Sequence, residues 1–336
     1  MIPRARADTG RGARLVTVSA KVPLVALATG REVRDLTADE RGLIPALADR
    51  GVTAEIAVWD DPDTDWAKYD LTVIRSCWDF ARRRDEFIAW AKSVPRLENN
   101  ARVVEWNTDR RYLRELAAAE VPVIDTIWLD PAAHLKPRAI HARMPAFGDF
   151  VVKPVVSAGS EDIGRYQPIS AQSRAAAIAH TRRLLDSGRA VMIQPYVASI
   201  DVEGEACLIF INDEFQHAVR RKALLGGTHR KTVGLSLYEG EGMAPVAVSD
   251  EQLEVARRAL AQAHISSGSS EPFLYARVDL VNGGGATSVG ATPKARILEG
   301  PLVLEVELTE PRLWLRHSGG HPTLSNFADA IAARVS

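Results

Sequence analysis

Short apolar runs separated by polar, turn-forming segments fill the first hundred residues. "VPLVALAT" (22–29) is apolar almost throughout and too short for a helix, so it reads as a strand buried on both faces. "TADERGLIPALADRG" (37–51) carries apolar positions at helical spacing behind Thr37, with Glu40 three residues later, which is the signature of a capped helix. "TAEIAVWD" (53–60) and "YDLTVIRSCWDF" (69–80) supply two more strands. Strands alternating with a helix predict a parallel sheet, with functional residues at the carboxyl ends of its strands. Arg75, Ser76, Trp78 and Asp79 fall at such an end.

Further along, "WNTDRRYLRELAAAEVP" (106–122) predicts a helix that Asn107 or Thr108 caps and Pro122 closes. "DFVVKPVVSAGSEDIGRY" (149–166) reads as a strand, a turn of small residues and a returning strand. A helix over 170–187 and a strand in "AVMIQPYV" (190–197) follow. "EACLIFIND" and "EFQHAVRRKA" predict a hairpin around Asn212 and Asp213, then a helix over 249–264 and strands over 273–281 and 301–308. The glycine- and serine-rich stretch between these last two strands reads as a flexible insertion.

One of those strands is unusual. In "LVLEVELTEP" (302–311) successive side chains alternate, so Glu305 and Glu307 share a face, about 7 Å apart, while Leu304, Val306 and Leu308 line the other. A solvated sheet face tolerates such a pair, and a divalent cation would use it. "FLYARVDLV" puts Arg277 and Asp279 on one face in the same way, as a surface ion pair or as part of the same site. Two neighbouring strands, each apolar behind and charged in front, favour a cleft. Asp279, Glu305 and Glu307 would hold one or two Mg²⁺ ions, and Arg277 would face a developing oxyanion or a transferring phosphate. Lys153 ends an apolar strand just before Ser157 and Gly159. Small residues there let backbone N–H groups approach phosphate oxygens, although the same pattern serves structural turns.

Composition narrows the field. The 42 basic and 43 acidic residues leave a net charge of −1, so no bulk electrostatics favour nucleic acid or an anionic membrane. No apolar stretch is long enough for a membrane span. Cys77 and Cys207 lack metal-ligand or C-x-x-C spacing, which fits a reducing, cytoplasmic location. Residues 1–20 are basic without the apolar core of a signal sequence and read as a mobile extension. His217, inside an alternating strand, reads as a packed residue more than as a base, and no nucleophile elbow or histidine cluster is present.

Taken in order, "NTDRRYLREL", "VVKPVVSAG", "MIQPYV", "EGEACLIFI", "FQHAVRRK", "YARVDLV" and "LEVELTEP" resemble the ATP-grasp superfamily over roughly residues 100–315. With "VWDDPDTDW" and "RSCWDF" the chain is similar to the branch containing the cycloserine biosynthesis cyclo-ligase, and more distantly to glutathione synthetase. The resemblance implies an α/β ATP-grasp fold: a mobile extension (1–20), an N-terminal parallel-sheet domain on the substrate side (21–105), and central (106–190) and C-terminal (191–336) α/β subdomains that sandwich ATP. It implies that Lys153, with Ser157 and Gly159 in its turn, contacts the phosphates. Gln194 and the backbone of Tyr196 and Val197 would read adenine, and Glu205, or Glu203 as its rival, the ribose. Asp279, Glu305 and Glu307 would hold Mg²⁺, and Arg277 would stabilise the acyl phosphate and tetrahedral intermediate. Arg110 stands where a lysine is expected, which alters its phosphate contact. Arg220, Arg221 and Lys222 would either form a solvated hairpin edge or bring a cation, Lys222 among them, to the γ-phosphate.

The reading that follows is an ATP- and Mg²⁺-dependent ligase that activates a carboxylate and forms an amide or ring amide, with O-ureido-D-serine and D-cycloserine as substrate and product. An ATP-grasp ligase joining two molecules, a kinase and a nucleotide sensor are the alternatives. Arg75, Ser76, Trp78 and Asp79 would bind the substrate, a small amino acid derivative, with Arg75 on its carboxylate and Asp79 on its amino group. Neither nucleic acid nor membrane is an expected partner, and self-association is left open.

Overall fold

Three sheets carry the fold. The computed structural model describes residues 21–159, 161–222, 243–284, 286–287 and 297–336. The predicted basic extension and most of the glycine-rich insertion lie outside the described residues. In the N-terminal unit β1 (Leu24–Thr29), α1 (Leu43–Ala48), β2 (Thr53–Val58), β3 (Leu71–Ile74), α2 (Arg84–Ser93) and β4 (Leu97–Glu98) build a sheet of order β2-β1-β3-β4 whose pairs are all parallel. The fully buried run of β1 becomes its interior strand. The helix expected over 37–51 shortens to α1. Thr37 donates its N–H and hydroxyl to Glu40, at 3.2 and 2.8 Å, as in a capping box, but the other Glu40 oxygen is drawn inward by Arg75.

Two short helices, α3 (Ala101–Asn107) and α4 (Tyr112–Ala118), follow. Asn100 caps α3 by accepting from the N–H groups of Arg102 and Val103, while the helix expected behind Asn107 or Thr108 is α4, which starts after Arg111 without a side-chain cap. Asn107 instead spans to the third sheet, donating to the Val306 carbonyl and accepting from the Leu308 N–H. The central sheet comprises β5 (Ile127–Leu129), β6 (Phe150–Pro154), β7 (Gly164–Tyr166) and β8 (Val191–Pro195) in the antiparallel order β5-β8-β6-β7, with α5 (Pro137–His141) and α6 (Ala171–Asp186) behind it. Because β8 pairs with β5 and β6, this sheet continues to Pro195, past the expected boundary at 190.

The third sheet starts after α7 (Ile200–Glu203). It contains β9 (Glu205–Ile211), β10 (Glu214–Arg221), β11 (Met243–Pro245), β12 (Tyr275–Asn282) and, beyond the small pair β13 (Ala286–Thr287) and β14 (Ile297–Leu298), β15 (Pro301–Glu307), in the order β11-β10-β9-β12-β15. Asn212 and Asp213 turn the β9–β10 hairpin with both φ angles positive, 53° and 62°, a conformation these two residue types tolerate. α8 (Asp250–Ser267) opens with a complete Ser249–Gln252 capping box and ends at left-handed Gly268, while α9 (Thr323–Val335) closes the chain.

The two faces of this sheet have different partners. Leu208, Phe210, Ala276, Val278 and Val306 pack with residues of α3, α4 and α8. On the reverse face Ile209, Ile211 and Tyr275 pack with Leu27, Val73 and Phe327 of α9. Farther along that reverse face the apolar packing gives way to charge, which creates the cleft. The strict alternation read for β15 breaks at a bulge: Asp279 pairs with Glu305 but Leu280 with Val303, so Leu304 is extra. Leu304 therefore lies on the cleft side beside Val151 and Tyr196, not behind the glutamates with Val306 and Leu308.

Candidate active site

The cleft lies between the central and third sheets, and Trp78 and Phe80 of the N-terminal unit reach its far end. Alternation along β6 assigns its residues: Phe150 and Val152 pack toward α6, and Val151 and Lys153 line the cleft. Ile124, Val151, Tyr196, Val197, Ile200 and Leu304 form an apolar slot at one end. Gln194 lines this end and donates to Thr126 at 2.9 Å. The Tyr196 N–H is already given to the Asp149 carbonyl, at 2.7 Å, so it is not available to an adenine edge as expected.

At the centre, oxygens of Asp279, Glu305 and Glu307 lie within 4.8 Å of one another. Asp279 is fully buried, held by Arg277 at 2.8 and 3.0 Å, with Arg221 at 3.5 Å. Burial pushes its carboxyl up, but the two guanidinium groups more than offset this and hold it below the ordinary range. Arg277 also bonds Glu307 through its Oε1. Burial, with Glu305 and Asp279 close by, nevertheless raises the Glu307 carboxyl to about 7. A third guanidinium, that of Arg110, takes Oε1 of Glu305 at 2.6 Å and the Ser157 hydroxyl at 2.7 Å. The contacts to Glu305 and Glu307 all use Oε1, so a second oxygen on each is left to face a cation. This all-oxygen donor set suits Mg²⁺.

Lys153 is buried, lines the cleft and makes no hydrogen bond or ion pair with another described residue. Burial first, then Arg110, lower its ammonium to about 8. An unpaired buried ammonium beside Arg110, Arg221 and Lys222, with the Ser157–Gly159 turn alongside, fits a polyphosphate. Of the hairpin cations Arg220, Arg221 and Lys222 that the sequence offered, Arg221 is the best placed: it lines the cleft and lies 3.5 Å from Asp279. It forks onto Glu205, which sits directly opposite it in the β9–β10 register. Glu205 is thereby committed to Arg221 in this structure, while its rival Glu203 accepts from Asn282 and does not line the cleft.

Comparison with known proteins fixes what this cleft belongs to. Residues 25–104 match the profile of the D-cycloserine synthetase DcsG N-terminal domain. The cycloserine biosynthesis protein DcsG of Streptomyces lavendulae is 34% identical over 320 residues, covering 93% of this chain and 99% of that protein. The chain belongs to the DcsG family of ATP-grasp ligases. The crystal structure of D-cycloserine synthetase DcsG matches with a TM-score of 0.78, over 93% of this chain and all of that one. D-alanine–D-alanine ligase from Bacillus anthracis, at 13% identity and a TM-score of 0.58 over 93% of this chain and 97% of its own, shares the fold. The ATP-grasp fold and an ATP-dependent ligase activity are thus established for the chain.

Within this ATP-grasp ligase the expected substrate residues separate. Trp78 lines the cleft; Arg75, Ser76 and Asp79 do not. Arg75 is 1% exposed. Its guanidinium bonds Glu40 at 3.1 Å and the Pro311 carbonyl at 2.8 Å, and lies over the Tyr275 ring. Ser76 also donates to Glu40, and Asp79 accepts from the Trp59 indole at 3.0 Å. The strand-end rule pointed at the right edge of the sheet, but that edge is sealed by the segment after β15. This segment, "TEPRLW", supplies the missed cleft residues Glu310, Arg312 and Trp314. Their one sequence signal was continuity with the acidic strand. His217 is buried against Thr323, away from the cleft, and burial lowers its imidazole to about 4, which suits a packed residue. Both cysteines are buried, and among the described residues no helix is long and apolar enough to cross a membrane.

Replacing Lys153 with Met is expected to weaken ATP binding about 10- to 150-fold, the loss for a hydrogen bond to a charged group. The wild-type affinity also carries a pH signature. Below pH 8 the free enzyme already holds the Lys153 proton. Above it, binding must take up that proton, so affinity falls by up to about tenfold per unit. Calorimetry with a non-hydrolysable ATP analogue between pH 7 and 9.5 checks both. A flat profile in the wild type would remove Lys153 from the phosphate site.

Proposed function

We propose that this ligase activates the carboxylate of a small amino acid derivative and closes it on the substrate's own nitrogen, in the cytoplasm, converting O-ureido-D-serine to D-cycloserine. ATP leaves as ADP and phosphate, and the carbamoyl group passes to one water molecule and leaves as carbon dioxide and ammonia. The observation that carries this reading is the 34% identity with DcsG across 93% of the chain, together with a cleft lined by Trp78 and Trp314. ATP would lie with its base in the slot formed by Val151, Tyr196 and Leu304 and its phosphates toward Lys153, Arg110 and Arg221. Mg²⁺ would sit on Asp279, Glu305 and Glu307. Bound there, ATP supplies the phosphoryl group that gives the substrate carboxylate a leaving group, and Mg²⁺ offsets the charge that gathers during transfer.

The chain's own contribution is positioning and charge. Arg277 is anchored by two carboxylates and by stacking over Trp314 at 4.7 Å. It is therefore oriented in advance toward the oxygen that becomes negative when nitrogen attacks the activated carboxyl. Arg110 and Lys153 hold positive charge in a buried setting where water cannot screen it.

Incubation of the enzyme with ATP, Mg²⁺ and a panel of amino acids tests the reading through ADP release and mass spectrometry of the product. A cyclic product from O-ureido-D-serine is expected. ADP release only when a second amine is added would make the enzyme a two-molecule ligase. A stable phosphorylated product would make it a kinase.

A further inference from the structure

We propose that Glu310 and Arg312 select the carboxylate substrate, Glu310 by receiving its α-ammonium group and Arg312, set over the Trp78 ring, by donating to a planar carbonyl group at the substrate's far end. This rests on the ligase reading above and adds the substrate contacts to it. The cleft has three chemically distinct parts. Its apolar end suits a base, its centre suits phosphates and a cation, and the end bounded by Trp78, Glu310, Arg312 and Trp314 is left for the carboxylate substrate.

That end is rigidly built. Arg75 holds the carbonyl of Pro311 at 2.8 Å, and Arg277 holds that of Arg312 at 3.2 Å. Asp39 then accepts from the N–H groups of Leu315 and Arg316, at 3.0 and 2.8 Å. The segment is thus fixed from both the N-terminal unit and the third sheet, so its side chains are placed before any substrate arrives. The Arg312 guanidinium lies 4.4 Å from the centre of the Trp78 ring. A guanidinium over an indole ring makes a cation–π contact, and its fork of N–H donors matches a planar acceptor such as a carbonyl. Glu310, three residues past Glu307, lines the same end and makes no hydrogen bond or ion pair with another described residue. A carboxyl adjoining the metal-binding centre can reach the amino group on the carbon next to the reacting carboxylate, while Arg312, beside Trp78, would donate to the remote end.

The test compares kcat/KM for amino acids and their deamino counterparts in wild type, Glu310→Gln and Arg312→Gln, with O-ureido-D-serine as the first probe. Binding of an ATP analogue and a thermal melt are measured alongside. Wild type is expected to prefer the amino form, and Glu310→Gln to lose about 10- to 150-fold against that form while losing little against the deamino one. Arg312→Gln is expected to lose a similar factor against O-ureido-D-serine and little against an analogue whose far end lacks the carbonyl. ATP-analogue affinity should stay within about twofold throughout. Equal losses on both members of a pair, or none, would overturn the assignment. If O-ureido-D-serine is inert but another amino acid is turned over, the cyclisation reading fails and the Glu310 comparison is run on that amino acid. Turnover confined to carboxylates without an amine would overturn the Glu310 role outright.

Discussion

Glu305→Gln is expected to cut Mg²⁺-dependent ADP release by at least about 100-fold, the loss produced by removing even a supporting partner of a metal ligand. Its side chain is 18% exposed, and although the pair with Arg110 loses its charge, an amide oxygen can still accept from that guanidinium. The variant should therefore fold with a smaller loss of stability than at a fully buried carboxylate. Asp279→Asn should remove turnover as well, but with a second effect. Asp279 is fully buried between Arg277 and Arg221, and neutralising it leaves two interior guanidinium groups without their shared counter-charge. Breaking a buried pair costs about 3–5 kcal/mol, so this variant should also melt earlier. ADP assays over a Mg²⁺ titration, beside thermal unfolding, separate the two. Turnover at the wild-type rate in both variants would move the metal site off β12 and β15.

Arg75→Met is expected to act on stability and not on chemistry. Removing the guanidinium strands the Glu40 carboxylate at 5% exposure, again at a cost of about 3–5 kcal/mol. Glu40→Gln should be destabilising too, and the double variant less so than the sum of the two, because the penalty comes from a charge left alone. The pH dependence has a definite sign. Burial raises the Glu40 carboxyl, but Arg75, Ser76 and Thr37 bring it below its ordinary value of 4.5. The stability it contributes is therefore present above pH 4.5 and is lost as pH falls through the lower folded value. Denaturant unfolding of the four proteins, with kinetics on the folded fraction, decides the matter. Unchanged stability with a raised KM would return Arg75 to the substrate pocket.

Much of the cleft was legible because it is encoded locally. A strand fixes which side chains share a face, so Arg277 with Asp279, and Glu305 with Glu307, could be grouped from spacing alone. The same holds for Lys153 at the end of β6 and for the Asn212–Asp213 turn. The strand pattern failed at one bulge, where an extra residue carried Leu304 to the cleft side. Which partner Arg221 takes among the hairpin cations was not legible, because that depends on the partner strand, which sets Glu205 opposite it.

What the sequence determined by itself was therefore the order of the elements, the face each charged residue occupies on its own strand, and the acid-rich chemistry of β12 and β15. Only the tertiary structure decided whether a charge serves the site or the scaffold. Arg75 and Arg312 are the same residue type at equally suggestive places, but Arg75 is closed in by Glu40 and Pro311 while Arg312 lines the cleft. The difference lies in what packs over each side chain, and residues 35 and 236 positions away supply that cover for Arg75. Local periodicity carries no information about it, because burial and counter-charges are properties of the assembled chain.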